Sequence, residues 1–184
     1  YDNQGYMNTG GQLSYTTPKG KVTSTSHAGK SSFGKRFHHK DSAAIMAATG
    51  IPYVFTAIES LGTDLVEKAA KAQWFAKNRG LVFGKLLTSC PLNWNSEERM
   101  GTRILEKAVE SCFFPIFEIQ EGLTTLNVDP EKDGKKIKIS DWLEMMGTYR
   151  HLLKPENSEH LKDLQDEVDR RWKRLKAKAE SPYL

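Results

Sequence analysis

Ile51-Pro52-Tyr53-Val54-Phe55-Thr56-Ala57-Ile58 is a run of apolar, β-branched and aromatic residues with the length of a strand buried on both faces. The residues on either side repeat a helix–strand alternation. Upstream, Asp41 is placed to cap a helix running through Ala48, with Gly50 as its stop. Downstream, a helix is expected from about Thr63 to Asn78, ended by Gly80, then a second strand from Leu81 to Ser89 (LVFGKLLTS). A helix from Ser96 to Ser111 and a strand from Phe114 to Ile119 (FPIFEI) complete the series. Strands that are apolar throughout and separated by helices of this length predict an α/β fold with a doubly wound, mostly parallel sheet.

The flanks differ in texture. From Gln4 to Lys35 the chain is dominated by Gly, Ser, Thr, Lys and Asn without apolar periodicity. Loops this long are usually either functional or disordered, and Gly with Ser/Thr hydroxyls suits one that wraps a ligand. Beyond Glu121 come the turn-like Asp129-Pro130, a polar run from Glu131 to Lys136, and a short helix expected around Asp141 to Leu153. Pro155 closes it, and Asn157 or Ser158 starts a last helix with Leu161, Leu164, Val168, Trp172 and Leu175 at steps of three and four. The organisation expected is one α/β domain over residues 1–128 and a helical C-terminal extension over 129–184.

The 184 residues carry 27 Lys+Arg against 23 Asp+Glu, a net charge of +4 that is spread along the chain and forms no basic-aromatic stripe. That distribution does not point to nucleic acid. No apolar run approaches the ~18–20 residues of a bilayer span, and the first residues lack the basic-then-apolar order of a signal peptide. A soluble, cytoplasmic protein is expected. Two cysteines, Cys90 and Cys112, are too few for a secreted disulfide scaffold and are expected to be reduced; any metal role for either requires ligands from elsewhere. The chain opens without a methionine directly into a turn-rich segment, and reads as a piece of something longer.

In open α/β sheets ligands bind beyond the carboxyl ends of strands, which directs attention to two turns. Tyr1-Asp2-Asn3-Gln4-Gly5-Tyr6-Met7-Asn8-Thr9-Gly10-Gly11-Gln12 concentrates Asn, Asp and exposed carbonyls, the hard oxygen donors of a site in which a dication shares its shell with phosphate. Cys90-Pro91-Leu92-Asn93-Trp94 follows the second apolar strand directly; on its own merits Cys90 reads as a buried structural thiol. His38, His39 and Lys40, with Lys35 and Arg36 nearby, form a basic loop that is either solvated or able to hold an anion such as the phosphates of coenzyme A.

The first turn, Asp2-Asn3-Gln4-Gly5-Tyr6-Met7-Asn8-Thr9-Gly10-Gly11-Gln12, followed by Thr16-Thr17-Pro18-Lys19-Gly20, resembles the second half of the thiamine-diphosphate motif in the β subunits of pyruvate:ferredoxin oxidoreductases. Gly29-Lys30, Lys40-Asp41, Ile51-Pro52-Tyr53-Val54 and Ser89-Cys90-Pro91 extend the resemblance over roughly Tyr1 to Ile119, and the last third matches loosely. The Gly-Asp-Gly half of the motif is not in this sequence. The resemblance implies a thiamine-diphosphate-binding fold lacking its N-terminal half. Asn3 would ligate Mg²⁺ through its side-chain oxygen and Gly5 through its carbonyl, with Asp2, Asn8 and Thr9 beside the cofactor and Asn8 and Thr9 next to the reacting centre. Gln4 stands where the family often has an acid, and Asn93 where it often has Gly. Cys90 matches the fourth thiolate of a [4Fe-4S] cluster whose other cysteines lie outside this segment, whereas Cys112 matches no ligand position.

By the same resemblance, the activity expected is coenzyme A-dependent oxidative decarboxylation of a 2-oxoacid, such as pyruvate or phenylglyoxylate, in anaerobic metabolism. Electrons would leave through iron–sulfur clusters to ferredoxin, or to a flavin/Fe–S subunit linked to NAD. The chain would act as one subunit of a hetero-oligomer. Two other readings stay open: a non-redox thiamine-diphosphate-dependent decarboxylase, which has no use for Cys90, and an interaction subunit that has kept the fold without the cofactor.

Overall fold

A computed structural model describes residues 1–181. Its long N-terminal loop is ordered without helix: bridges join Tyr6 to Gln12 and Thr23 to Ser26, and β1 (Ala28–Gly29) pairs antiparallel with β2 (Ser32–Phe33). Much of the order comes from one cation. Lys35 is buried, and its Nζ donates to the carbonyls of Ser14, Tyr15 and Thr17, so a charged side chain substitutes for the backbone ladder that a Gly/Ser/Thr segment cannot form.

Asp41 caps α1 (Ser42–Ala47), its carboxylate accepting from the Ala44 N–H at 3.0 Å, and Gly50 follows in a left-handed conformation. The next elements are β3 (Tyr53–Ile58), α2 (Gly62–Asn78) and β4 (Val82–Leu87). β3 and β4 pair in parallel from Tyr53↔Val82 to Ile58↔Leu87, the right match for a helical crossover. α2 lies on the face formed by Tyr53, Phe55 and Ala57, against which Phe75 packs. α1 lies on the opposite face, where Ala43 meets Val54 and Phe117. Each face of β3 therefore has its own helix, and all six β3 residues are buried.

After β4 come a short α3 (Pro91–Trp94), a 3-10 turn at Glu98–Met100 and α4 (Gly101–Glu110), where one longer helix was expected over Ser96 to Ser111. β5 (Phe117–Gln120) then joins the sheet beside β3, and the two are antiparallel. The fold is α/β as expected, but the four-stranded sheet, ordered β4-β3-β5 with β6 (Leu123–Leu126) outside, is mixed, with β3–β4 as its parallel pair and β5 and β6 antiparallel to their neighbours. The cause is where α4 lies. Its apolar face packs with α5 (Ile139–Leu143) and with Ile58 and Leu87 at the carboxyl ends of the parallel strands, so it does not return the chain along the sheet. The chain re-enters from that end and runs back. Thr56 knits the junction, its hydroxyl donating to the Pro115 carbonyl at 2.7 Å and accepting from the Phe117 N–H at 3.0 Å. β5 and β6 form a two-residue hairpin with positive φ at both Glu121 (50°) and Gly122 (88°), the geometry that matches strand twist.

The last helix, α6 (Ser158–Glu180), presents the expected stripe: Leu164, Val168 and Trp172 are buried, with Leu161 and Leu175 partly so. It packs into the core that holds Trp94, Trp142, Tyr149 and Leu152, and Leu175 reaches the sheet beside Phe117. Large aromatic rings dominate that core, Phe113 stacking on Trp142 with 4.4 Å between centroids.

Candidate functional site

The N-terminal turn is fastened to the carboxyl end of β4. Asp2 donates its N–H to the Leu86 carbonyl at 2.8 Å and accepts from the Thr88 N–H at 3.0 Å, a parallel bridge along the free edge of that strand. Residues Asn3 to Gly5 consequently project from the end of the parallel pair, the position at which open sheets bind ligands. The Asp2 carboxylate holds the turn from within: Oδ1 accepts from the Gln4 N–H and the Thr16 hydroxyl, both at 2.8 Å, and Oδ2 lies 3.2 Å from Lys85 Nζ.

The second motif closes on the first. Asn93 Nδ2 and Trp94 Nε1 both donate to the Asn3 carbonyl, at 2.7 and 2.9 Å. A methyl group on Gly5 would come within 2.9 Å of Asn93 Nδ2, so any side chain there requires the Asn93 amide to shift. Gln4, between them, is almost fully buried, has φ of 68°, and gives its carbonyl to the Thr17 hydroxyl at 2.8 Å. A left-handed Gln is a strained choice, maintained by these surrounding bonds.

Two oxygens flank this strained residue. Asn3 Oδ1 takes a single long bond, 3.3 Å from the Gly5 N–H. The Gly5 carbonyl accepts no hydrogen bond from the described residues. A side-chain amide oxygen with one long hydrogen bond and a carbonyl two residues on with none suit the donor set of a hard dication. Neither is sufficient alone: among the described residues no group of three or more His, Cys, Asp or Glu could hold a metal. Asp2, by contrast, has both carboxylate oxygens engaged and acts as a brace. Asn8 and Thr9 are exposed on the outer rim of the turn, Thr9 donating its hydroxyl to Gln12 Oε1 at 2.9 Å.

Cys90 is the N-cap residue of α3, with Pro91 at the first helical position, and is half-buried. Leu92 beside it is 84% exposed. Cys112 is buried, and burial pushes its thiol up to about 12, which makes it an inert core residue as expected. The basic loop is mostly consumed by structure: Lys35 anchors carbonyls, Lys40 lies over the Tyr15 ring at 3.7 Å, and His38 pairs with Asp163 at 2.9 Å. His39 Nε2 and its carbonyl both contact the Arg171 guanidinium, and burial followed by that positive charge drives its pKa well below the ordinary value.

Three participants were not legible in the sequence. Asn93 and Trp94 appear there as local features of a cysteine motif, and nothing about them signals a clamp on a residue 90 positions away. Lys21, within the loop, is completely buried, and its Nζ has no hydrogen-bond partner among the described residues. Burial lowers its pKa to about 7, while Cys90 and then Asp2 pull it upward.

The site joins an oxygen-bearing Asn-x-Gly turn to a Cys-Pro segment beside the carboxyl end of the parallel pair. The comparisons with known proteins name the particular relatives. Subunit PorB of pyruvate synthase from Pyrococcus furiosus is 36% identical over 99% of this chain and 58% of its own length. Subunit VorB of ketoisovalerate oxidoreductase from the same organism is 35% identical over 98% of this chain and 55% of its own. PorB from Methanocaldococcus jannaschii is 36% identical over 95% of this chain and 55% of its own. The chain belongs by homology with these 2-oxoacid:ferredoxin oxidoreductase β subunits, and it spans about half the length of the curated relatives it matches. No family model matches it.

Proposed function

We propose that this chain is the part of a thiamine-diphosphate-binding β subunit that supplies two Mg²⁺ ligands and one iron–sulfur thiolate for oxidative decarboxylation of a 2-oxoacid. The observation that carries the reading is the clamp: Asn93 and Trp94, three and four residues after Cys90, donate to the carbonyl of Asn3. The two candidate cofactor positions are thus one rigid unit. An enzyme that moves electrons from a thiamine-bound substrate to a cluster needs the two at a set separation, whereas a non-redox thiamine enzyme has no use for Cys90.

In this reading Asn3 Oδ1 and the Gly5 carbonyl hold Mg²⁺ and, through it, the diphosphate. Asp2 orients the turn from behind, and its engaged oxygens keep it from competing for the metal. Asn8 and Thr9 lie on the rim, where they would face substrate once the rest of the assembly closes over the site. Bound thiamine diphosphate supplies the carbon chemistry that releases CO₂ from a 2-oxoacid, with coenzyme A as acyl acceptor and a [4Fe-4S] cluster as electron acceptor. Cys90 would provide one thiolate, and the half-exposed setting with Leu92 beside it suits a cluster shared with residues beyond this segment. The remaining ligands, the other subunits and the final acceptor, ferredoxin or a flavin subunit linked to NAD, complete a cytoplasmic hetero-oligomer.

Metal and thiamine analysis of the anaerobically purified assembly tests this, with Cys90→Ser and Asn3→Ala alongside. Thiamine diphosphate, Mg²⁺ and iron are expected in the parent, loss of one cluster's signal in Cys90→Ser, and loss of Mg²⁺ and thiamine diphosphate in Asn3→Ala. Iron indifferent to Cys90→Ser would leave a non-redox thiamine enzyme, and absence of both cofactors from the parent would leave an interaction subunit.

A further inference from the structure

The stretch Thr16-Thr17-Pro18 contributes neither candidate metal donor, yet it meets the Asn-x-Gly turn through two adjacent hydroxyls. Thr16 Oγ1 donates to Asp2 Oδ1 and Thr17 Oγ1 donates to the Gln4 carbonyl, each at 2.8 Å. Asp2 and Gln4 are the residues on either side of Asn3, so Asn3 is suspended between two gripped neighbours. The grips form one network, because the oxygen of Asp2 that receives Thr16 also accepts the Gln4 N–H at 2.8 Å.

The gripping residues are themselves held. Thr17 is fully buried, and its hydroxyl accepts from the Ser14 N–H at 2.8 Å, while Ser14 Oγ lies 2.9 Å from Thr16 Oγ1. Behind them the buried ammonium of Lys35 bonds the carbonyls of Ser14, Tyr15 and Thr17. What this scaffold secures is an unfavourable backbone: Gln4 has φ of 68°, a conformation a residue with a side chain leaves unless its surroundings hold it. Rotation of Gln4 toward negative φ would turn its carbonyl away from Thr17 and displace Asn3 and Gly5 relative to one another. The hydroxyls therefore govern the relative placement of the two oxygens that flank Gln4.

We propose that Thr16 and Thr17 are positioning residues of the Mg²⁺ site, which act through Asp2 and Gln4 to keep Asn3 Oδ1 and the Gly5 carbonyl in a fixed relative placement. The inference rests on the reading of Asn3 and Gly5 as metal donors and adds the residues that hold them. Groups that orient metal-binding residues from behind commonly govern metal affinity by roughly 10–100-fold.

Mn²⁺ serves as the probe, its room-temperature EPR signal reporting the free ion. The anaerobically purified assembly is stripped with EDTA, resupplied with thiamine diphosphate and titrated with Mn²⁺. Thr16→Val and Thr17→Val, which remove the hydroxyl at nearly constant shape, are each expected to weaken Mn²⁺ binding roughly 10–100-fold, and Thr16→Ser and Thr17→Ser to bind it as the parent does. Parent affinity in both valine variants overturns the proposal, whatever their stability to denaturant, and leaves the hydroxyls a purely structural role. Weakened binding that serine does not restore also overturns it, because side-chain shape and not the hydroxyl would then decide. Asn3→Ala separates this failure from that of the underlying reading. If Asn3→Ala loses Mn²⁺ while the valine variants keep it, the positioning role alone falls; if Asn3→Ala also keeps parent affinity, the assignment of Asn3 as a donor falls with it. Thr16 is only half-buried, so if Thr17→Val does not assemble, Thr16→Val, or Thr16→Ala in its place, decides on the same criteria.

Discussion

Gly5 and Asn93 illustrate how a site can depend on the absence of one carbon atom. The Asn93 amide occupies the volume in which a Gly5 side chain would lie, and from there it reaches the Asn3 carbonyl. Gly5→Ala is expected to destabilise the chain by about 1–3 kcal/mol through overpacking, and Asn93→Ala by about 1–2 kcal/mol through the lost hydrogen bond. The double variant should be less destabilised than the sum, because removing the amide vacates the space that the new methyl enters. Denaturant unfolding of the four proteins checks this, and simple additivity would mean that the two residues do not share that volume. At this scale Asn3 and Gly5 can be named as candidate donors from residue type and resemblance. The clamp was not legible: a hydrogen bond spanning 90 residues leaves no trace in local pattern.

Helices and strands were read with more success where periodicity suffices. Asp41 and Gly50 bracket α1 as capping chemistry requires, and the α6 stripe is buried at the expected positions. The hairpin partner Leu123–Leu126 was missed because Leu-Thr-Thr-Leu is too short and too polar to announce a strand; it is created by the Glu121-Gly122 turn and by pairing with β5. α6 is also fastened electrostatically to the segment before α5. Glu131 is drawn down to about 2 by hydrogen bonds from Lys136 first and Lys176 second. A carboxylate held below its unfolded value of ~4.5 stabilises the fold fully above that pH, and its contribution fades as pH falls from there toward 2. Glu131→Gln is therefore expected to lower stability at pH 7 and to converge with the parent as the medium is acidified through this window. Unfolding curves at stepped pH measure it, and a constant difference throughout would show that Glu131 acts by packing or hydrogen bonding independent of its charge.

For the whole molecule, the question is what one segment can hold alone. Two oxygens and one thiol do not close a metal shell, and none of the His, Cys, Asp or Glu side chains among the described residues gathers into a group that would complete it. Chelating Mg²⁺ from the assembled enzyme with EDTA should accordingly release thiamine diphosphate, and adding both back should restore it, as followed by equilibrium dialysis. Retention of the diphosphate after Mg²⁺ is gone would show that side chains, such as basic groups of another segment, bear the phosphate charge instead.

The α/β class, the limits of α1, α2 and α6 and the donor types within the N-terminal turn follow from sequence because they depend on local quantities: burial periodicity, capping chemistry and residue type. The direction of β5 and the joining of the two motifs were decided only by tertiary structure. α4 has the same amphipathic pattern whether it runs back along the sheet or lies across its end, and the choice was made by the aromatic core it shares with Trp94, Trp142 and Trp172. That packing seats Trp94 under the N-terminal turn. The same seating encloses Lys21 and fixes Cys90 relative to Asn3, which is why the arrangement of the site, unlike its ingredients, is a property of the folded molecule.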